Sequence, residues 1–234
     1  MTTIDDIHRK VRAILERANH PETPPAEAET ALAMAYRLMV KYDLDMAGVA
    51  SASNHQAGAP KIERRRYETT GPYRVRRSNL RFRIGGVLSC ASYRDRIEGD
   101  VDTVVSYYFG TPSDLDAVET LYAAAELLAL RTIPWGDRGF RTSWWHGFAD
   151  GIEEKLSLER RQLEHDNHGV ALVLRDREDL ATLEMERLVP GLRTTRLGGA
   201  TWESAYTDGH RAGSTFTGGS RSVSGVMGSL PRGR

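Results

Sequence analysis

The sequence predicts an α+β fold, with an N-terminal helical hairpin and a larger domain whose small sheet, a β-hairpin and a third strand, is covered by several helices. Three observations lead there. Apolar residues recur at steps of three and four along Ile4, Ile7, Val11, Ile14, Leu15 and Ala18, and again along Ala28, Ala31, Leu32, Ala35, Leu38, Met39 and Tyr42. Two β-rich runs, Tyr93 to Ile97 and Val101 to Phe109, flank Glu98-Gly99-Asp100, the spacing of a hairpin with a short loop. Helical periods then dominate the second half of the chain. The bulk composition agrees: 234 residues, 32 Lys+Arg against 32 Asp+Glu, 40% apolar and 27% charged. No stretch approaches the roughly 18 consecutive apolar residues of a spanning helix.

Taken in order, residues 1–46 form the hairpin. Asp5 and Asp6 favour the positive end of its first helix, and Asn19-His20-Pro21 ends that helix, because the residue before proline is pushed out of the helical region. Residues 47–60 are small and polar without a period and read as a linker. The α+β domain spans 61–213. An extended segment breaks at Gly71-Pro72, and Ser78 or Asn79 is the expected cap of a helix carrying Leu80, Ile84, Val87 and Leu88. After the β-hairpin, Thr111 as N-cap, Pro112 at the first helical position and Asp114 three after the cap mark a helix start. A long helix is expected from Ser143 to His165. The apolar run Val170 to Leu174 reads as a short buried strand, followed by a helix over Glu178 to Leu188 and a last helix from Thr201 to Gly213. The tail, 214–234, is rich in Gly, Ser and Arg and is expected to be disordered.

The pieces Glu27 to Leu32, Ala35, Leu38, Met39, Lys41, Tyr42 and Leu44 follow a basic amphipathic helix and a Pro-containing link. This hairpin resembles the DUF2786 domain, and the remainder is similar to the segment that usually follows it, at Val104 to Asp114, Gly147 to Gly151, Ala171 to Val173 and Ala205 to Gly213. The resemblance implies the architecture and a phage or mobile-element origin. It implies no activity, and no catalytic residue is carried over.

Chemistry is sparse. Between Lys61 and Arg83 there are nine basic residues, eight of them Arg (Arg64, Arg65, Arg66, Arg74, Arg76, Arg77, Arg81 and Arg83), against Glu63 and Glu68. Planar guanidiniums suit phosphate, and Tyr67, Tyr73 and Phe82 interleave as stacking candidates. The leading expectation is a non-enzymatic binding protein that contacts nucleic acid through these arginines. The competing explanation is a solvated surface whose arginines pair with acidic helix faces, which the zero net charge favours. A second functional class is a protein-interaction module, such as an inhibitor of a host factor, using the alanine-rich hairpin. A third is a metal-dependent hydrolase: His146 and Asp150 share a helix face, and His210 would complete a site if its helix packed beside them. Lacking the H-E-x-x-H spacing and any nucleophile with a base, the chain is not expected to be an enzyme or to need a cofactor. Gly147/Gly151 and Gly209/Gly213 each read as helix-packing positions rather than a ligand site. A single cysteine, Cys90, precludes an internal disulfide framework. With no apolar leader at the N-terminus, the cytoplasm is the expected compartment and no membrane partner is expected.

Overall fold

A computed structural model of the chain describes residues 60–95, 102–166, 168–194 and 198–214, together with Lys10, Val11, Ala13, Ile14, Arg17, Met34 and Leu38. Those seven N-terminal positions are all helical, and Ile14 packs against the main core. The rest of the expected hairpin, the linker before Pro60 and the tail from 215 lie outside the described residues.

The element order is β1 (Glu63–Thr70), α1 (Arg74–Val87), β2 (Ala91–Asp95), β3 (Thr103–Gly110), α2 (Pro112–Thr132), α3 (Arg138–Asp166), α4 (His168–Leu188) and α5 (Glu203–Ser214). The three strands form one antiparallel sheet in the order β1-β3-β2. The expected hairpin is therefore present as β2 and β3, but the third strand is Glu63–Thr70. Val170 to Leu174 is not a strand; it belongs to α4, and Leu172 is 65% exposed. A five-residue apolar run carries no period by which to tell strand from helix. Here the residues after it continue one helix of 21 residues.

The cap expected at Ser78 or Asn79 is also displaced. The chain reverses one turn earlier, at Gly71 (φ 80°) and Tyr73 (φ 57°), and Arg76 and Arg77 N–H groups donate to Tyr73 O. Ser78 and Asn79 are buried inside α1. The α2 start is as read: Thr111 Oγ1 accepts from Asp114 N at 3.2 Å, with Pro112 at the first position.

α1, α2 and α3 build the main core with one face of the sheet. Leu80, Ile84, Tyr108, Leu115, Leu121 and Phe148 are all fully buried there. Trp144 stacks on Phe148 at 5.1 Å, with Trp145 edge-on to both. α4 packs against β2 and β3 and is tied to the start of α2 by the buried Arg177–Asp114 pair at 3.3 Å.

α5 docks on α3 through glycine. A Cβ on Gly147 would lie 2.0 Å from Tyr206 O, and one on Gly209 would lie 2.1 Å from Trp144 O. Gly151 and Gly213 repeat the arrangement one turn on, so the two helices run parallel, backbone against backbone. No helix among the described residues is long and apolar enough to cross a membrane.

Candidate nucleic-acid interface

The eight arginines do not share one surface. β1 alternates, so Arg64, Arg66 and Glu68 face one side of the sheet and Arg65, Tyr67 and Thr69 the other. Five of the eight meet carboxylates: Arg65 reaches Asp116 at 2.5 Å, Arg66 meets Glu68 at 2.5 Å, Arg77 meets Glu126 at 2.6 Å, Arg74 meets Asp102 at 3.5 Å, and Arg83 forks between Asp150 Oδ1 (2.7 Å) and Glu153. These partners come from β1, α2, α3 and the start of β3, so the segment is stitched to most of the domain. Charge-assisted pairs at such exposure contribute little each, on the order of 1 kcal/mol or less. They nonetheless neutralise the field a polyanion would feel.

Three arginines make no close ion pair with a carboxylate among the described residues, although Asp150 acts on Arg76 at longer range. Arg64 is exposed and lies 5.2 Å over the Tyr107 ring. Arg81 is 8% exposed, held between the rings of Tyr122 (3.7 Å) and Tyr67 (4.6 Å). Arg76 donates from Nη2 to Gly198 O at 2.7 Å.

The expected stacking residues are turned inward. Tyr67 and Phe82 pack edge-on against the buried Tyr108, at 5.4 and 5.7 Å, and Tyr73 packs against the core. The outer face of the sheet carries a different pair. Tyr93 and Tyr107 are directly paired across β2 and β3, and their rings stack at 5.0 Å and 20°. Arg66 is directly opposite Tyr107 on β1, and Arg64 is opposite Phe109. Opposed residues of an antiparallel pair share a face, so both cations border the tyrosine stack. Both tyrosines are half-buried, and the Arg66 side chain is 47% exposed. Sequence reasoning located both strands yet missed this pair, because nothing local reveals which residue of β2 meets which residue of β3.

The third class fails on geometry. His146 Nε2 lies 3.7 Å from Asp150 Oδ2, but that oxygen accepts from Tyr206 OH at 2.9 Å, and Asp150 Oδ1 faces Arg83. His210 does not join them: its Nε2 pairs with Glu154 at 3.0 Å, and the Tyr206 ring contacts both imidazoles. No group of three metal-ligating side chains is present among the described residues. The helices do pack side by side, as that expectation required. The i+4 step from 206 to 210, however, puts tyrosine rather than histidine over Asp150. His146 titrates below its ordinary range; burial leads, Arg76 and Arg83 add to it, and Asp150 opposes it. An open depression of about 480 Å³ is lined by His146, Asp150, Ala200, Thr201, Glu203 and Tyr206.

Cys90 is buried, and burial pushes its thiol well above the ordinary range, so it is an inert packing residue. Leu38, expected on an apolar interaction face of the hairpin, is half-buried, whereas Met34 is 48% exposed; Leu32 and Met39 lie outside the described residues.

Residues 6–46 match the family model described as Protein of unknown function (DUF2786), so the chain carries a DUF2786 domain followed by the α+β unit described above. No curated protein and no solved structure matches the chain.

Proposed function

We propose that this is a non-enzymatic nucleic-acid-binding protein whose contact surface is the outer face of the sheet at β1. The reading rests on one observation: exposed Arg64 and Arg66 border the stacked pair Tyr93 and Tyr107. Guanidiniums take backbone phosphates, and a phenol ring accepts a base on its free edge or face whatever the sequence. A splayed, single-stranded segment supplies accessible bases; a duplex does not, so single strands are the preferred ligand. The interface is small, and Arg66 already meets Glu68 on the same face at 2.5 Å, which fits weak, salt-sensitive binding rather than a high-affinity site. We place it in the cytoplasm, in a phage or mobile-element setting, on the strength of the resemblance drawn from the hairpin sequence and of a chain with a single cysteine.

Filter binding of a labelled single-stranded oligonucleotide at two salt concentrations tests this. Binding that weakens with salt, and that the Arg64→Ala/Arg66→Ala double variant removes, is the expected result. Binding that is absent, or equal in that variant, overturns it. The alternative of a protein partner on the hairpin is favoured by Met34, 48% exposed on a helix; Met34→Glu abolishing capture of a purified host partner while leaving oligonucleotide binding intact would select it.

A further inference from the structure

The stacked tyrosines on the outer face of the sheet have one covered end and one open end. Arg64, from β1, lies over the Tyr107 ring at 5.2 Å, and Tyr107 stacks on Tyr93 at 5.0 Å. Tyr93 also stacks on Phe109 at 6.2 Å, so both of its ring partners come from β3. In the order β1-β3-β2, β2 is an edge strand, and the side of Tyr93 turned away from β3 meets no further strand. Among the described residues no other aromatic ring and no cation stacks on Tyr93.

The residues on either side of Tyr93 decide what can sit against it. Side chains alternate along a strand, so Ala91, Tyr93 and Asp95 share the outer face of β2. Arg94 turns to the other face, where it lies 5.2 Å over Phe82. Ala91 takes up little space. Asp95 is exposed, and the rise of a strand puts it roughly 7 Å along β2 from Tyr93, within the width of one base. Its charge reaches the ring: burial leads in pushing the Tyr93 phenol above its ordinary range, Tyr107 and Asp95 add to it, and Arg64 opposes it.

We propose that the edge-side face of Tyr93 seats one base of the single strand and that Asp95 makes this seat selective for guanine. The inference rests on the reading of the outer face as a nucleic-acid surface, and it names the residue that chooses among bases. Stacking alone is indifferent to the base, because every base has a π-face. A carboxylate is not, since it only accepts hydrogen bonds. Guanine presents a ring N–H and an amino N–H side by side on its Watson–Crick edge, which match the two carboxylate oxygens. Adenine and cytosine present one amino group next to an acceptor nitrogen. Thymine and uracil present one N–H between two carbonyl oxygens, which the carboxylate repels. The expected order is therefore guanine first, adenine and cytosine next, and thymine or uracil last.

The test is fluorescence anisotropy of the full chain with two labelled single strands of equal length at constant ionic strength, one of thymine only and one in which isolated guanines replace some thymines. Equal length keeps the phosphate charge the same, so the ratio of affinities reports the bases. The guanine-bearing strand should bind about fivefold tighter or more. Asp95→Asn, an exposed change of one atom, should bring that ratio close to one, and Tyr93→Leu should weaken both strands. Tyr93→Phe, which keeps the ring, should bind both as wild type does and guards against a folding defect in Tyr93→Leu. Equal binding of the two strands by wild type, an unchanged ratio in Asp95→Asn, or full affinity in Tyr93→Leu overturns the inference while the nucleic-acid surface stands. Binding of neither strand by wild type overturns that surface and the inference with it.

Discussion

The two faces of this domain's interior are held by opposite means. Between α3 and α5 the contact is dry and made by backbone: Gly147, Gly151, Gly209 and Gly213 let the helices approach until no Cβ fits. Between α1 and the sheet the contact is made by long polar side chains, with tyrosine rings, guanidiniums and hydroxyls, several of them unpaired. The first arrangement leaves no room between the two backbones, and its polar groups, His146, Asp150 and Tyr206, sit at the rim of that contact. The second leaves charge and hydrogen-bonding capacity unspent. The lesson is that glycine patterns here report construction, and an exposed cation beside an aromatic face, Arg64 at Tyr107, reports where to look for binding.

The largest expected effect breaks the dry side. Gly147→Ala or Gly209→Ala places a methyl about 2 Å from a carbonyl oxygen, and rigid backbone on both sides cannot yield. The expected loss is about 3 kcal/mol or more, beyond ordinary overpacking, read as a lower urea midpoint. A loss under about 1 kcal/mol would mean that the helices are not in backbone contact. On the polar side, Tyr107→Ala should cost about 1–3 kcal/mol of single-stranded oligonucleotide affinity while Tyr67→Phe, inside the core, leaves it unchanged. Equal effects of the two would show that the outer face is not the contact surface.

Smaller effects sharpen the comparison. Ser89 closes α1 with φ 58°, while the Cys90 N–H donates to Gly85 O, and its buried hydroxyl has no partner. Ser89→Gly removes both the left-handed strain and the orphan, for a net gain of about 0.5–1 kcal/mol, visible as a small rise in melting temperature. The smallest effect concerns pH. Because folding lowers the His146 pKa from 6.5, the folded chain binds fewer protons than the unfolded one between the two values. Its contribution is therefore present above pH 6.5 and is lost as the pH falls toward the folded value. The wild-type melting temperature should decline through that window, and His146→Gln should flatten the decline.

Much of this architecture is written locally. Thr111-Pro112-Asp114 announces α2 because a cap, a fixed φ and an acidic first turn all act within four residues. The glycine pairs announce the α3–α5 contact because a mid-helix glycine is costly unless something comes close. What escaped was non-local. Arg65, Arg77 and Arg83 find their carboxylates at Asp116, Glu126 and Glu153, 49 to 70 residues away, and no spacing rule reaches that far. Val170 to Leu174 escaped for a different reason: its five apolar residues fit either period, and only the helix that continues beyond them decides. The site suffered most, since whether a cation is free depends on the whole fold.

The parallel seating of α5 has a geometric outcome of its own. Gly213 is locked against Phe148 and Ile152, near the midpoint of α3, so Ser214, the last described residue, holds a fixed place on the body. Any cargo fused there would inherit a defined origin, and its reach could be measured from that anchor with a ruler.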